Sequence, residues 1–420
     1  MDIGRQRQSD IYLNGMAGTR PLLPIDAVEL EKRARRMMSA QAFAYVAGGA
    51  GRESTVDANR VAFERWRIRP HVLHDVSERD TSVELFGARL PAPFLLAPIG
   101  VLEMAHPQAD LAVARAAAAE GIPMIFSSQA SRPMEACASA MGAVPRWFQL
   151  YWSKSDDLVL SFVSRAEACG CSAIVVTLDT TLLGWRTRDL DLAYLPFLRG
   201  KGIAQYTSDP VFTQQISQPL PGPAARTRIT PSTLAGFFEL LRSYPGSFFS
   251  NLSSGKPRRA VQHFINTYSR PSLTWDDLKF LREHTRLPIL LKGILRADDA
   301  QKALKAGVDG LIVSNHGGRQ VDGAIASLDA LLTVVDAVRD RIPVLLDSGV
   351  RGGADAFKAL ALGARAVCVG RPYVYGLAIA GERGVREVIR NFLADFDLTM
   401  GLSGCRRVAD IDASMVTPAP

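Results

Sequence analysis

Seven consecutive residues, Ser314-Asn315-His316-Gly317-Gly318-Arg319-Gln320, set a base, a cation and two glycines side by side after the apolar run Gly310-Leu311-Ile312-Val313. That run reads as a buried strand, so the polar cluster sits where the strand ends. A histidine there can act as a base, because its ordinary pKa lies near neutrality. Arg319, three residues on, can hold a carboxylate through two parallel hydrogen bonds. The intervening glycines let the backbone turn and approach a ligand closely. A base beside an anion clamp points to proton abstraction from a carboxylic acid. The alternative is a polar loop whose histidine only caps a strand end.

A recurring unit supplies the scaffold: an Ala-rich helix, a glycine, then a short apolar strand ending in polar residues. Helices over 109–120, 157–169, 297–306 and 353–362 lead through Gly121, Gly170, Gly307 and Gly363 to strands over 123–126, 173–176, 310–313 and 366–369. Glycine suits a left-handed cap, and the apolar runs suit strands buried on both faces. Further strands are expected over 94–97, 147–150, 289–292 and 344–347, which brings the total to eight. Alternating elements at this count predict an α/β fold, a TIM (β/α)8 barrel, with a doubly wound sheet as runner-up. Residues 1–75 read as an N-terminal extension, helical around 27–46, and 76–420 as the barrel. Within the barrel, 190–272 is rich in Pro, Gly, Ser and Thr and reads as a long lid or insertion after the fourth strand, mobile in part.

A TIM barrel gathers its active site at the C-terminal strand ends. There this chain carries Pro98-Ile99-Gly100, Ser127, Gln149 with Tyr151, Thr177 with Asp179, Lys292, Ser314 with His316, Asp347, and Gly370-Arg371. Asp179 is placed to orient His316 and stabilise its charged form. Arg186 is a second candidate carboxylate clamp. Lys292 ends an apolar strand, so its amine is expected in the barrel mouth, facing a negative cofactor ring, forming a Schiff base, or held in a structural ion pair. The loops after the seventh and eighth strands, with Gly349, Arg351, Gly370 and Arg371, read as a phosphate cradle.

Composition excludes several classes. A net charge of +7 spread over 420 residues, with no basic block interleaved by aromatics, argues against nucleic-acid binding. The five cysteines and six histidines lack metal-ligand spacing, so no metal is expected and the thiols read as reduced core residues. No apolar stretch could span a bilayer, and the N-terminus lacks a signal-like apolar region. A soluble, cytoplasmic protein is expected.

The residues Ser314 to Gln320 resemble the signature of the FMN-dependent α-hydroxy acid oxidase and dehydrogenase family. The resemblance runs from about Tyr45 to Arg406. It includes Gln149-Leu150-Tyr151, Thr177-Leu178-Asp179-Thr180, Leu287 to Gly293, Asp347 to Arg351 and Gly370-Arg371-Pro372. It implies that FMN is the cofactor, that His316 is the catalytic base, and that Asp179 is its partner. Arg186 and Arg319 resemble the carboxylate clamps, Tyr45 a tyrosine on that carboxylate, and Tyr151 one near the substrate oxygen. Ser127, Gln149, Thr177 and Lys292 resemble contacts to the flavin ring, and Ala97-Pro98-Ile99-Gly100 the loop over it. Ser314 belongs to the same cofactor set. Asp347 resembles a ribityl contact, and Gly349, Arg351, Gly370 and Arg371 the phosphate site. Homotetramers or homo-octamers are implied as well.

Tyr45 to Gly49, Ala97 to Val101, Gly184 to Leu190 and Pro196-Phe197-Leu198-Arg199-Gly200 resemble the lactate 2-monooxygenase branch. The expected reaction is oxidation of an L-2-hydroxy acid, L-lactate first, with O2 and decarboxylation of the retained keto acid. Release of keto acid and H2O2, or electron transfer to a quinone or redox protein, are the alternatives. Gln129 departs from the pattern, standing where relatives often place an aromatic or apolar residue.

Overall fold

The computed structural model describes residues 2–217 and 230–420. Eight short strands pair in parallel, in chain order, and close on themselves. They are β1 (Phe94–Leu96), β2 (Met124–Phe126), β3 (Arg146–Leu150), β4 (Ile174–Thr177), β5 (Ile289–Ile294), β6 (Gly310–Val313), β7 (Val344–Asp347) and β8 (Ala366–Val369). Val367 of β8 lies beside Phe94 of β1, which completes the barrel.

Alternation along the strands divides the core in two. Leu95, Ile125, Trp147, Val175, Leu290, Ile312, Leu345 and Cys368 form one buried cluster, which fills the barrel. Their neighbours Leu96, Phe126, Phe148, Val176, Leu291, Val313, Leu346 and Val369 belong to the cluster shared with the surrounding helices. Such strands are buried on both faces, which is why they appear as continuous apolar runs. The hairpin Val83–Leu85 and Ala88–Leu90 joins the inner cluster. Phe86 at its tip packs edge-on against Trp147 at 5.5 Å and so closes the end where the strands begin. Chemistry is left to the opposite end.

The four expected helices form as Ala109–Glu120, Asp156–Ala168, Ala297–Lys305 and Gly353–Ala361. Gly121, Gly170, Gly307 and Gly363 follow them with φ of 68°, 67°, 71° and 98°, the left-handed stop that glycine allows. The N-terminal helix splits into Ala27–Met37 and Ala40–Ala47, because Ser39 adopts extended backbone and caps the second through the amide of Ala42. Ile3–Met16 and Ser54–Glu64 are additional helices.

The insertion expected over 190–272 is largely helical in its described residues. Its described residues fold into Ala204–Thr207, Pro210–Gln215, Pro231–Ser243, Phe248–Ser254 and Lys256–Thr267, with a 3-10 turn at Pro196–Arg199. The loop-like composition has a different cause. Asp209, Thr230 and Ser247 are N-caps, and Pro210, Pro231 and Pro257 occupy first turns. Short helices packed end to end need many such residues. Residues 218–229, on which part of the expected mobility falls, lie outside the described residues. No helix among those described is long and apolar enough to cross a membrane.

Candidate active site

The strand ends converge on one cleft. Tyr45, Ala97, Pro98, Ile99, Gly100, Gln149, Tyr151, Thr177, Arg186, Lys292, His316, Arg319, Asp347, Gly349, Arg351, Gly370 and Arg371 all line it. Ser127, Ser314 and Asp179 stand behind that lining and act on residues within it. Ser127 donates to Gln149 Oε1 at 3.4 Å, and Ser314 joins Lys292 to Asp347.

His316 faces Asp179 with 2.8 Å between Nδ1 and Oδ1. Burial pushes the imidazole pKa below its ordinary 6.5, and Asp179 offsets only part of that shift. Burial also works against the Asp179 carboxylate, but His316 and Lys292 hold it below the usual range. At neutral pH the pair is a neutral imidazole against a carboxylate, the state a general base requires. The carboxylate fixes the Nδ1–H tautomer and leaves Nε2 free to accept a proton. His316 has φ +59, uncommon for a side chain. Its amide donates to Ser314 Oγ at 3.0 Å and the next amide to Ser348 Oγ at 2.9 Å, which holds that turn.

Gly293 sets the distance between β5 and Asp179. It lies at a bulge in the pairing of β5 with β6 and has φ +109. A Cβ there would stand 3.0 Å from Asp179 Cβ and 3.1 Å from its Cγ. Gly293→Ala is expected to displace Asp179 and lower kcat/KM by roughly 10- to 100-fold with FMN retained. Flavin absorbance and steady-state rates measured together check this; an unchanged rate would show that the dyad tolerates the shift.

Two cation pairs mark the two ends of the cleft. At one end Arg319 and Arg186 lie over the Tyr45 ring, 5.1 and 6.0 Å from its centroid. Burial and then the charge of Arg186 push the Arg319 pKa down to about 9. Arg186 reaches Gln320 Oε1 at 3.1 Å, and Gln320 donates to the Asp179 and Leu182 carbonyls, both at 2.8 Å. Gln320 therefore ties the clamp to the dyad. The sequence brought it into view only as the last residue of the motif, with no role of its own.

At the other end burial and then Arg371 push the Arg351 pKa down to about 10. Arg371 donates to the carbonyls of Val46, Gly48 and Gly317 at 3.1, 3.0 and 2.9 Å. Gly349 has φ +89, and a Cβ on it would stand 2.5 Å from the Asn59 carbonyl oxygen. The helix Gly353–Ala361 offers no open N-terminus here, because Asp395 accepts from the Gly353 amide. The anion cradle therefore consists of Gly349 to Arg351 and the start of helix Arg371–Leu402. Burial and a neighbouring like charge lower the pKa of Arg319 in one pair and of Arg351 in the other, so both ends are sites that an anion stabilises.

Between the two ends lies the place for a ring. Lys292 is 3% exposed and pairs with Asp347 at 2.8 Å. Burial opposes the charge on this amine, but Asp347 and Asp179 outweigh it and raise the pKa. Gln149 Nε2 and Thr177 Oγ1 are buried and have no hydrogen-bond partner among the described residues. Buried polar groups rarely go unpaired, so a bound group must satisfy them. A planar ring with carbonyl and nitrogen edges, joined to a phosphate at the Arg351 end, fits this donor set. Lys292→Met would strand Asp347 as an uncompensated buried charge and is expected to lower stability by about 3–5 kcal/mol. Denaturant unfolding measures this, and a loss under about 1 kcal/mol would refute it.

Helix Ser54–Glu64 contributes a residue that the sequence did not single out. Asn59 exchanges side-chain hydrogen bonds with Asn315 at 2.8 and 2.7 Å and accepts from the Ser327 amide at 3.1 Å. It fixes the base of the His316 turn from a segment some 250 residues away in the chain, 256 from Asn315.

Residues 34–418 match the FMN-dependent dehydrogenase family. The chain is 43% identical over 404 residues to an FMN-dependent alpha-hydroxy acid dehydrogenase of Penicillium citrinum, covering 96% of this chain and 93% of that one. It is 40% identical over 395 residues to an L-lactate oxidase of Lysinibacillus sphaericus, covering 94% and 93%. The crystal structure of a mandelate oxidase with (S)-4-hydroxymandelic acid superposes with a TM-score of 0.77 at 34% identity, covering 94% of this chain and 99% of that one.

Proposed function

The chain belongs to the FMN-dependent dehydrogenase family and is an FMN-dependent α-hydroxy acid oxidoreductase, and from that premise we propose a specific reaction. It oxidises a short L-2-hydroxy acid, L-lactate being the simplest, passes the electrons to O2, and decarboxylates the keto acid it retains. The observation that supports this reading is the placement of His316, backed by Asp179, in the same cleft as the Arg186 and Arg319 clamp.

The two guanidinium groups bind the substrate carboxylate and thereby aim its α-carbon along the cleft, an orientation effect of several kcal/mol. His316 accepts a proton from the substrate, and Asp179 stabilises the imidazolium that results. Burial raises the Tyr151 pKa, so its phenol stays protonated and can donate to the substrate oxygen. Gln149, Thr177, Lys292 and the Arg351 cradle would hold FMN, which would supply the two-electron acceptor. Lys292 stabilises negative charge that develops beside it.

The substrate loses its α-C–H and O–H bonds, two electrons and two protons in all, and O2 takes both to become H2O2. Peroxide then attacks the keto acid, and the bond to the carboxylate breaks. Lactate and O2 become acetate, CO2 and water. Retention of the keto acid is supported by the start of the insertion, which is docked on the cleft wall. The Gly202 amide donates to Glu103 Oε1 at 2.9 Å and the Ala204 amide to the Ala130 carbonyl at 3.1 Å. Phe197 packs edge-on against Tyr45 at 6.5 Å.

The test is to supply L-lactate in air and quantify acetate against pyruvate plus H2O2. Mostly acetate supports the reading. Mostly pyruvate with peroxide would make this an oxidase whose product leaves before peroxide reacts.

A further inference from the structure

One polar side chain in the cleft belongs to neither the dyad, the arginine clamp nor the cofactor cradle. Gln129 lines the cleft and is only 9% exposed. Its backbone is fully engaged: the amide donates to Ser127 Oγ at 3.0 Å, and the carbonyl accepts from the Val101 amide at 2.9 Å. Among the described residues, no hydrogen bond reaches its side-chain amide. An amide that faces the cleft with no partner from the protein is available to a ligand.

Its location shows which ligand. A Cβ on Gly202 would stand 3.0 Å from the Gln129 carbonyl oxygen and 3.2 Å from the Phe197 ring. Phe197 packs on Tyr45, and Tyr45 carries Arg319 and Arg186 on its ring. Gln129 therefore continues the wall that holds the carboxylate clamp, where the rest of the substrate must lie. The neighbouring turn is shaped around it. A Cβ on Gly100 would come within 2.9 Å of both Gln129 Cβ and its carbonyl oxygen, so glycine at 100 is what lets the chain at 129 come this close. Val101, a β-branched residue, is held at φ +58 by the bond to the Gln129 carbonyl. Strain of this kind is kept where the surroundings fix it for use.

We propose that Gln129 is a specificity-determining residue, and that the preferred substrate is a short L-2-hydroxy acid bearing a hydrogen-bonding group, a hydroxyl or a carbonyl oxygen, on the carbon beyond the α-carbon. The inference rests on the 2-hydroxy acid reading above. It narrows the substrate class without altering the bonds broken: the α-C–H and O–H bonds still yield two electrons and two protons to the acceptor.

L-glycerate and L-2-hydroxybutyrate provide the test, since they have the same size and differ in a hydroxyl against a methyl. With the FMN-loaded enzyme, kcat/KM for glycerate is expected to exceed that for 2-hydroxybutyrate by roughly 10- to 100-fold, because the apolar substrate leaves the amide unpaired. Gln129→Leu is expected to reverse the order with flavin absorbance unchanged. Gly100→Ala, which displaces Gln129, is expected to flatten it. Dissociation constants for hydroxypyruvate and 2-oxobutyrate, read from the perturbed flavin spectrum, are expected to follow the same ranking. Equal or better use of 2-hydroxybutyrate by the wild type, or an unchanged order in Gln129→Leu, overturns the inference and leaves the 2-hydroxy acid reading standing. Failure of lactate, glycerate and 2-hydroxybutyrate alike to bleach the flavin without oxygen overturns both.

Discussion

Replacing His316 by glutamine is expected to slow anaerobic bleaching of the flavin by L-lactate about 10⁴-fold while FMN stays bound. Glutamine keeps the size and a hydrogen bond toward Asp179 but cannot take a proton at the position of Nε2. The neighbours that shape the turn remain: Ser314 Oγ and Ser348 Oγ accept from backbone amides, which the substitution does not touch. Asp179→Asn is expected to lose about 10³-fold, because the imidazole remains but its charged form loses its counter-charge. The pH profile follows from the sign of the shift. A base must be neutral in the free enzyme, and burial holds the His316 pKa below 6.5. Wild-type kcat/KM should therefore rise with pH on the acid side, level off before neutrality and stay flat through pH 7. An inflection above pH 7, or reduction at the wild-type rate in the glutamine variant, would remove His316 from the mechanism.

The barrel was legible because its strands are short and apolar, and four of them, β2, β4, β6 and β8, are each preceded by a helix and a glycine. β6, β7 and β8 begin and end where the apolar runs do. At β5 the run Ile289 to Lys292 ends at a glycine that normally closes a strand, yet pairing resumes at Ile294 across the bulge. The site was legible for a similar reason: strand ends converge in a barrel, so residues at those ends meet whatever their distance in sequence. Contacts brought in from outside that repeat were not. Asn59 lies on an amphipathic helix of the extension, and nothing in its neighbours distinguishes it from a solvated polar residue. Gln320 and Gln129 were visible as residues but not as connections, because a side-chain amide gains its role from what it faces. The helices of the insertion were hidden by its composition. Proline, serine and aspartate there begin helices, and those helices pack the aromatic group of Phe197, Tyr206, Phe212, Phe264 and Tyr268.

Arg319→Met is the substitution for which activity and stability are expected to part. Removing one half of a carboxylate clamp costs about 2–5 kcal/mol of binding, so kcat/KM for L-lactate should fall about 10³-fold. Most of the fall should appear in KM, with a further loss in kcat where the α-carbon is no longer aimed. The ligand-free protein should tolerate the change. Arg319 is half-buried beside Arg186, and its desolvation, with that repulsion, brings its pKa down to about 9. Taking the charge away relieves the repulsion. The Gly48 carbonyl that accepts from Arg319 at 2.8 Å keeps a second donor in Arg371 at 3.0 Å, so no buried acceptor is stranded. Thermal unfolding of the variant without substrate should therefore match or slightly exceed that of the wild type. Pyruvate should raise the wild-type midpoint, because its carboxylate neutralises the pair, and should raise the variant's much less. Arg319→Lys separates charge from geometry. It restores a cation but not the fork, and recovery of only part of the lost kcat/KM is the expected result. A methionine variant that binds lactate and pyruvate normally would place the carboxylate elsewhere in the cleft.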